Sequence, residues 1–103
     1  MCQDCSMDDL LIRQTPSGGK VEAKPEFEVS VLNECPCLQG NIILACNGFQ
    51  SVKHIDPLVL VKSGNECLLN NGSSLGPFGM QTFSYAWDSL FPFDPVSSKI
   101  DCH

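Results

Sequence analysis

Seven cysteines fall in a chain of 103 residues, and no other feature limits its fold so tightly. Three of them, Cys35, Cys37 and Cys46, stand within "NECPCLQGNIILACNGF", residues 33 to 49. Zinc binding, thiol redox chemistry and a disulfide framework each make use of clustered cysteines, and spacing separates them. For zinc, Cys2-x-x-Cys5 and Cys35-x-Cys37 would offer thiolates, with His54 or His103 as substitutes. The second pair is too short for the paired Cys-x-x-Cys knuckles of structural zinc sites. Redox activity needs a Cys-x-x-Cys at a helix N-terminus within a βαβ unit, and neither element is legible here.

A disulfide framework fits better. Cys46 lies inside an apolar strand pattern, Cys67 opens another, and Cys102 closes the last. Cysteines within strands and far apart in sequence suit bridges between strands, not one compact metal cluster. A bridge spanning Cys5 to Cys102 would contribute about 4–5 kcal/mol on chain-entropy grounds. Direct bonding of Cys35 to Cys37 would strain so short a loop. Seven is odd, so one cysteine is free or pairs with another molecule, and Cys2 is assigned that role. The remaining set, Cys5, Cys35, Cys37, Cys46, Cys67 and Cys102, allows about 15 connectivities. Neither metal nor cofactor is expected.

The strand patterns are short. "PEFEVSVLN" (25–33) alternates, with Phe27, Val29 and Val31 on one face and Glu26, Glu28 and Ser30 on the other. That is a half-buried antiparallel strand. "NIILACN" (41–47) runs nearly all apolar, as a strand buried on both faces would. "PLVLVK" (57–62) and "GMQTFSYAW" (79–87) follow, the latter with Phe83, Tyr85 and Trp87 on one side. Weaker candidates are "DLLIRQ" (9–14), "SVKHI" (51–55), "ECLLN" (66–70) and "VSSKIDC" (96–102). Turns are expected at "TPSGGK", "CLQGN", "KSGNE", "NNGSSLGPFG" and "FPFDP". No segment sustains a helical period. The pattern predicts an all-β fold: a single disulfide-stapled antiparallel β-sandwich of about seven or eight short strands. Residues 1–4 form an N-terminal tail and 5–103 the cysteine-rich domain.

Charge narrows the partners. Twelve acidic residues oppose six basic ones, and the basic residues are spread singly from Arg13 to Lys99. A nucleic-acid footprint or an anionic membrane partner would need a basic cluster. The start "MCQDCSMDDLL" shows no signal-peptide pattern, so secretion would imply a mature or trimmed chain. No apolar run reaches transmembrane length, and membrane insertion is not expected.

Catalysis has little support in the sequence. His54 and Asp56 in "KHIDP" resemble a base and its orienter, yet no nucleophile is placed beside them. No phosphate-cradling glycine loop is present, and the carboxylates are scattered over turns. The chain reads as a non-enzyme. Asn71-Gly72-Ser73 forms an N-glycosylation sequon on a turn, whereas Asn33-Glu34-Cys35 is a weaker acceptor and is set aside. "WDSLFPFDP" (87–95) is turn-rich but too apolar for a solvated loop. Trp87, Leu90, Phe91 and Phe93 therefore either cap the core or anchor a partner, and the rigid Pro92 favours the partner interface.

The order of these pieces carries a resemblance. Cys5-Ser6, "VSVLNEC", a second nearby cysteine, "NIILACNGF", "IDP", "ECLLNNG", "LGP", "FSYAW" and a terminal Val-Ser-Ser before Cys102 together resemble the tapetum-determinant family of plants. The resemblance covers residues 5 to 102, and six of the seven cysteines coincide with the family pattern, Cys2 being the addition. It implies a secreted, apoplastic, monomeric signalling ligand that binds the ectodomain of a leucine-rich-repeat receptor kinase in anther cell fate, specifying tapetum-type differentiation. A second reading is a cell-wall carbohydrate-binding module that stacks polysaccharide on the row Phe83, Tyr85 and Trp87. A third is an extracellular structural or storage protein.

Overall fold

Strict alternation and β-branched runs separated by turn residues build strands, and the computed structural model, which describes residues 5–102, contains seven. In chain order they are β1 (Leu10–Val21), β2 (Lys24–Asn33), β3 (Leu38–Ala45), β4 (Leu60–Ser63), β5 (Glu66–Leu69), β6 (Met80–Ala86) and β7 (Asp94–Asp101). Short 3-10 turns occupy Met7–Asp9 and Asn70–Gly72. Strands β1-β2-β6 form one antiparallel sheet, and β4-β5-β3-β7 form the other. The two inward faces share one core containing Val29, Val31, Ile42, Leu44, Leu69, Phe83 and Tyr85. This is the expected disulfide-stapled sandwich. The expectations concerning Cys2 and His103 fall outside the described residues.

The alternation of "PEFEVSVLN" holds: Val29 and Val31 are buried while Glu28 between them and Phe27 is exposed. Four local expectations change. "CLQGN" is not a turn: Leu38–Asn41 open strand β3, where Leu38, Gln39 and Gly40 pair with β7. "NIILACN" does form the interior strand β3, but Ile43 and Ala45 on its outer side are only half-buried, so the strand is covered fully on one face. "SVKHI" is not a strand; residues 51–55 cross the open side of the sandwich, with the Val52 N–H donating to the Ala86 carbonyl (2.9 Å). "TPSGGK" is not the hairpin turn. The β1–β2 register shifts between Pro16 and Lys20, so this stretch is a bulge inside a long arm. The turn itself is Glu22–Ala23, with φ of 49° and 66°. Strand β6 pairs with β2 only from Glu26 onward, which leaves the arm's end as a two-stranded ribbon and gives the molecule its 51 × 26 × 19 Å shape.

The cysteines pair as Cys5–Cys35, Cys37–Cys102 and Cys46–Cys67, with Cα separations of 5.9, 4.8 and 6.0 Å. The expected bridge between Cys5 and Cys102 is absent. Instead each chain end is tied to one of the two cysteines flanking Pro36 in the β2–β3 connection. Both bridges sit together: the sulfurs of Cys5, Cys37 and Cys102 lie within 4.8 Å of one another. Joining the ends to adjacent anchors closes the same circuit as joining them directly, without straining a Cys35–Cys37 link. All three sulfurs of that cluster are engaged in disulfides.

Access to the bridges differs. Cys102 is exposed and Cys5 half-buried, whereas Cys46 and Cys67 are wholly buried. Thiol–disulfide exchange needs an approach path to a sulfur. Limiting reductant followed by alkylation and peptide mapping should therefore label Cys37 and Cys102 first and Cys46 and Cys67 last. Early labelling of Cys46 would contradict this order.

Candidate functional site

Six aromatic residues, Phe27, Phe49, Phe83, Tyr85, Phe91 and Phe93, converge on one end of the sandwich, while Phe78 stands exposed away from them. Phe49, in the loop after β3, is the hub, its ring centroid 5.2 Å from Tyr85 and 5.4 Å from both Phe91 and Phe93. Phe83 packs edge-on against Phe93 at 5.6 Å, and Phe27 lies 5.4 Å from Tyr85. Edge-to-face pairs at these separations are favourable beyond the area they bury. Alternation along β2 and β6 aims Phe27, Phe83 and Tyr85 inward. The 87–93 loop then folds Phe91 and Phe93 back over them.

That placement corrects the interface expectation for two residues. Phe93 is buried at 5% exposure and Phe91 is packed against the core. Hydrophobic burial outweighs the turn-rich character of "WDSLFPFDP", because the open end of the sandwich would otherwise expose Phe49 and Tyr85. Of the four residues only Leu90, 47% exposed, projects into solvent, while Trp87 is half-buried. The stacking row for sugar rings changes too. Phe83 and Tyr85 are core, at 7% and 0% exposure, leaving Trp87 as the single member of that row with accessible surface.

A closed ring of hydrogen bonds holds the loop. The Tyr85 hydroxyl donates to Gln14 Oε1 (2.7 Å), and Gln14 Nε2 donates to the Phe91 carbonyl (2.6 Å). The Phe91 N–H in turn donates to the Tyr85 hydroxyl oxygen (2.9 Å). Strand β1, strand β6 and the loop are thereby fixed to one another. Burial pushes the Tyr85 phenol above its ordinary pKa, partly opposed by the Phe91 N–H, so the hydroxyl stays protonated and keeps donating. On the solvent side Lys24 Nζ pairs with Asp88 (2.6 Å) and stands 5.4 Å from the centre of the Trp87 ring. The result is a corner, residues 87 to 92, whose backbone is anchored from inside and outside.

A second ion pair lies nearby. Lys53 Nζ bonds Glu26 and the Ser84 hydroxyl, and the Ser17 hydroxyl donates to the other Glu26 oxygen (2.6 Å). These bonds, Lys53 foremost, hold the Glu26 carboxyl below its usual range.

At the opposite end sits a polar centre that sequence reasoning missed. Asn33 and Gln39, both fully buried, bond each other through Gln39 Nε2 and Asn33 Oδ1 (3.0 Å). Asn33 Nδ2 also donates to the carbonyls of Cys37 (2.9 Å) and Gly76 (2.9 Å), and Oδ1 accepts from the Cys35 N–H (3.1 Å). Ser98 on β7 donates to Gln39 Oε1 (2.8 Å). The phase of "PEFEVSVLN" held the signal, since position 33 falls on the same face as Phe27, Val29 and Val31. The network also leaves the Asn33 amide buried and bonded, in keeping with setting its sequon aside. Asn71, by contrast, is exposed at the Asn70–Gly72 turn with φ of 53°.

His54 and Asp56 are both exposed, and Asp56 Oδ1 accepts from the Leu58 N–H (2.9 Å). The aspartate thus caps a turn and makes no hydrogen bond to the histidine.

Comparison with known proteins places this geometry. The family profile described as "Tapetum determinant 1, C-terminal" matches residues 6–103. The chain is 32% identical over 98 residues to "TPD1 protein homolog 1" of Arabidopsis thaliana, covering 92% of this chain and 55% of that protein. It is 37% identical over 82 residues to an uncharacterized Arabidopsis thaliana protein, covering 75% of this chain and 63% of that one. To "TPD1 protein homolog 1A" of Oryza sativa subsp. japonica it is 30% identical over 104 residues, covering 92% of this chain and 45% of the relative. The chain thus spans about half the length of the curated relatives it matches. No solved structure matches it.

Proposed function

The chain belongs to the tapetum determinant family, and from that membership we propose that it is a secreted, non-enzymatic ligand for the ectodomain of a leucine-rich-repeat receptor kinase. Membership supports a role in plant developmental signalling at the level of the family. Three disulfides in a small cysteine-rich domain fit an extracellular protein, because reducing compartments do not preserve such bridges.

The observation that carries the reading is the anchored corner. Leu90 stands exposed on a backbone that Gln14, Tyr85 and Phe91 hold in place. A contact loop already ordered loses little entropy on binding, so a modest apolar anchor suffices. Asp88 and the overall charge of -6 would draw the corner toward a basic surface. In this reading Phe91 and Phe93 position the corner, while Leu90 and the open side of Trp87 touch the receptor. Asn71 carries the glycan on its exposed turn.

Binding of receptor ectodomains to the native protein and to Leu90→Asp tests the assignment. Leu90→Asp should melt like the parent and lose about tenfold or more in affinity, roughly 1.4 kcal/mol. Saturable binding that Leu90→Asp and Trp87→Ala leave unchanged would remove the corner from the interface. Absence of saturable binding to any receptor ectodomain would overturn the ligand reading itself.

A further inference from the structure

On the open side of the sandwich the 46–59 loop crosses from β3 to β4 and leaves a hollow of about 300 Å³. Phe49, Ile55 and Leu60 give it apolar walls; Lys53, His54 and Lys62 stand at its rim. No carboxylate lines it, although the chain carries twelve Asp and Glu. In a molecule with only six Lys and Arg, two of them and one of its two histidines meet here. Lys53 is already committed to Glu26 and Ser84. His54 and Lys62 are exposed, and neither has a hydrogen-bond or ion-pair partner among the described residues.

We propose that this hollow is a binding site for a small amphiphilic carboxylate, an acid with an aromatic or aliphatic body. The volume stands at the lower end of the range for small-molecule sites, about 300–1,000 Å³. At about 30 Å³ per water-sized group it holds roughly ten non-hydrogen atoms. Apolar walls take the body, and the two exposed groups without partners, the Lys62 ammonium and the His54 imidazole, take the carboxylate through hydrogen bonds, charge-assisted from the lysine. A larger polyanion does not fit the arrangement, because Lys53 is already neutralised by Glu26. A cationic ligand would meet no carboxylate in the lining and would face Lys62. The site adjoins the 87–92 corner through Phe49, whose ring packs on Phe91, but its test needs no receptor, so it stands or falls apart from the ligand reading.

The test is a two-dimensional amide NMR titration of the disulfide-intact full chain with phenylacetate, 2-phenylethanol and acetate. Phenylacetate combines body and charge; the alcohol keeps only the body and acetate only the charge. Phenylacetate should give saturable shifts confined to residues 49–62, with the alcohol and acetate each about tenfold weaker or more. His54→Gln and Lys62→Gln, both at exposed positions, should keep the parent spectrum elsewhere and weaken phenylacetate about fivefold each. Equal affinity for the three probes would overturn the proposal, as would shifts scattered outside 49–62 or no saturation. So would phenylacetate affinity unchanged in both variants.

Discussion

Reduction of the three disulfides is expected to abolish the cooperative melting transition of this protein at plant growth temperatures. The bridges close loops with sequence separations of 30, 65 and 21 residues. On chain-entropy grounds each stabilises by about 3–4 kcal/mol, less for the pair that is nested, Cys46–Cys67 within Cys37–Cys102. A domain of this size has a total stability of about 5–15 kcal/mol. Losing all three therefore removes most or all of it. Circular dichroism before and after full reduction with alkylation measures this. A cooperative melt that survives alkylation of all six bridged cysteines would show that the core alone suffices.

Asn33→Ala should be the most damaging single change outside the cysteines. The substitution leaves the Cys35 N–H, Gln39 Nε2 and the Cys37 and Gly76 carbonyls facing a void in the core. Each buried group left without a partner costs about 1–3 kcal/mol, so a total of about 3–5 kcal/mol follows even with partial relaxation. Asn33→Asp tests the donor side alone: it keeps an acceptor for the Cys35 N–H but sets a carboxylate against two carbonyls. Denaturant unfolding of both variants, with disulfides intact, should show Asn33→Asp destabilised as well. Loss of less than about 1 kcal/mol in Asn33→Ala would mean that water replaces the amide. The network's location matters more than its energy. It sits where the Cys5–Cys35 and Cys37–Cys102 bridges meet, and so fixes the register of the β2–β3 connection that carries both inner cysteines.

Much of this was legible in the residues. The alternation of 25–33 and 79–87, the placement of Cys67 within β5 and of Cys46 directly after β3, and the inward aim of Phe83 and Tyr85 are all local, and periodicity reports local facts well. What was hidden depends on position in three dimensions. For Phe91 and Phe93 the sequence left core cap and partner anchor as alternatives, with Pro92 favouring the anchor; only the hole over Phe49, formed by residues remote in sequence, explains their inward packing. The hairpin turn was misplaced because "PSGG" satisfies every local rule for a turn, whereas Glu22–Ala23 adopts left-handed φ under the demand of strand pairing on either side. Gln39 was hidden for a different reason. A register shift between Gly40 and Ile43, with Asn41 at φ of 46°, changes the phase of β3, so that alternation counted from Ile42 and Leu44 points Gln39 the wrong way.

The β1–β2 arm has its own consequence for how the molecule opens. Past Glu26 it has no third strand, it bears an internal bulge, and its tip holds two non-glycine residues in left-handed backbone, each at a cost of about 1 kcal/mol or more. The three disulfides touch none of it. Opening free energy therefore falls along the long axis, highest at the cysteine-clipped end and lowest at the tip. Amides of residues 17 to 24 will exchange with solvent through local fraying while those of β3 and β5 wait for global unfolding. A protease will meet this chain first at Glu22–Ala23, and a single cut there leaves every bridge, and the two halves they join, in place.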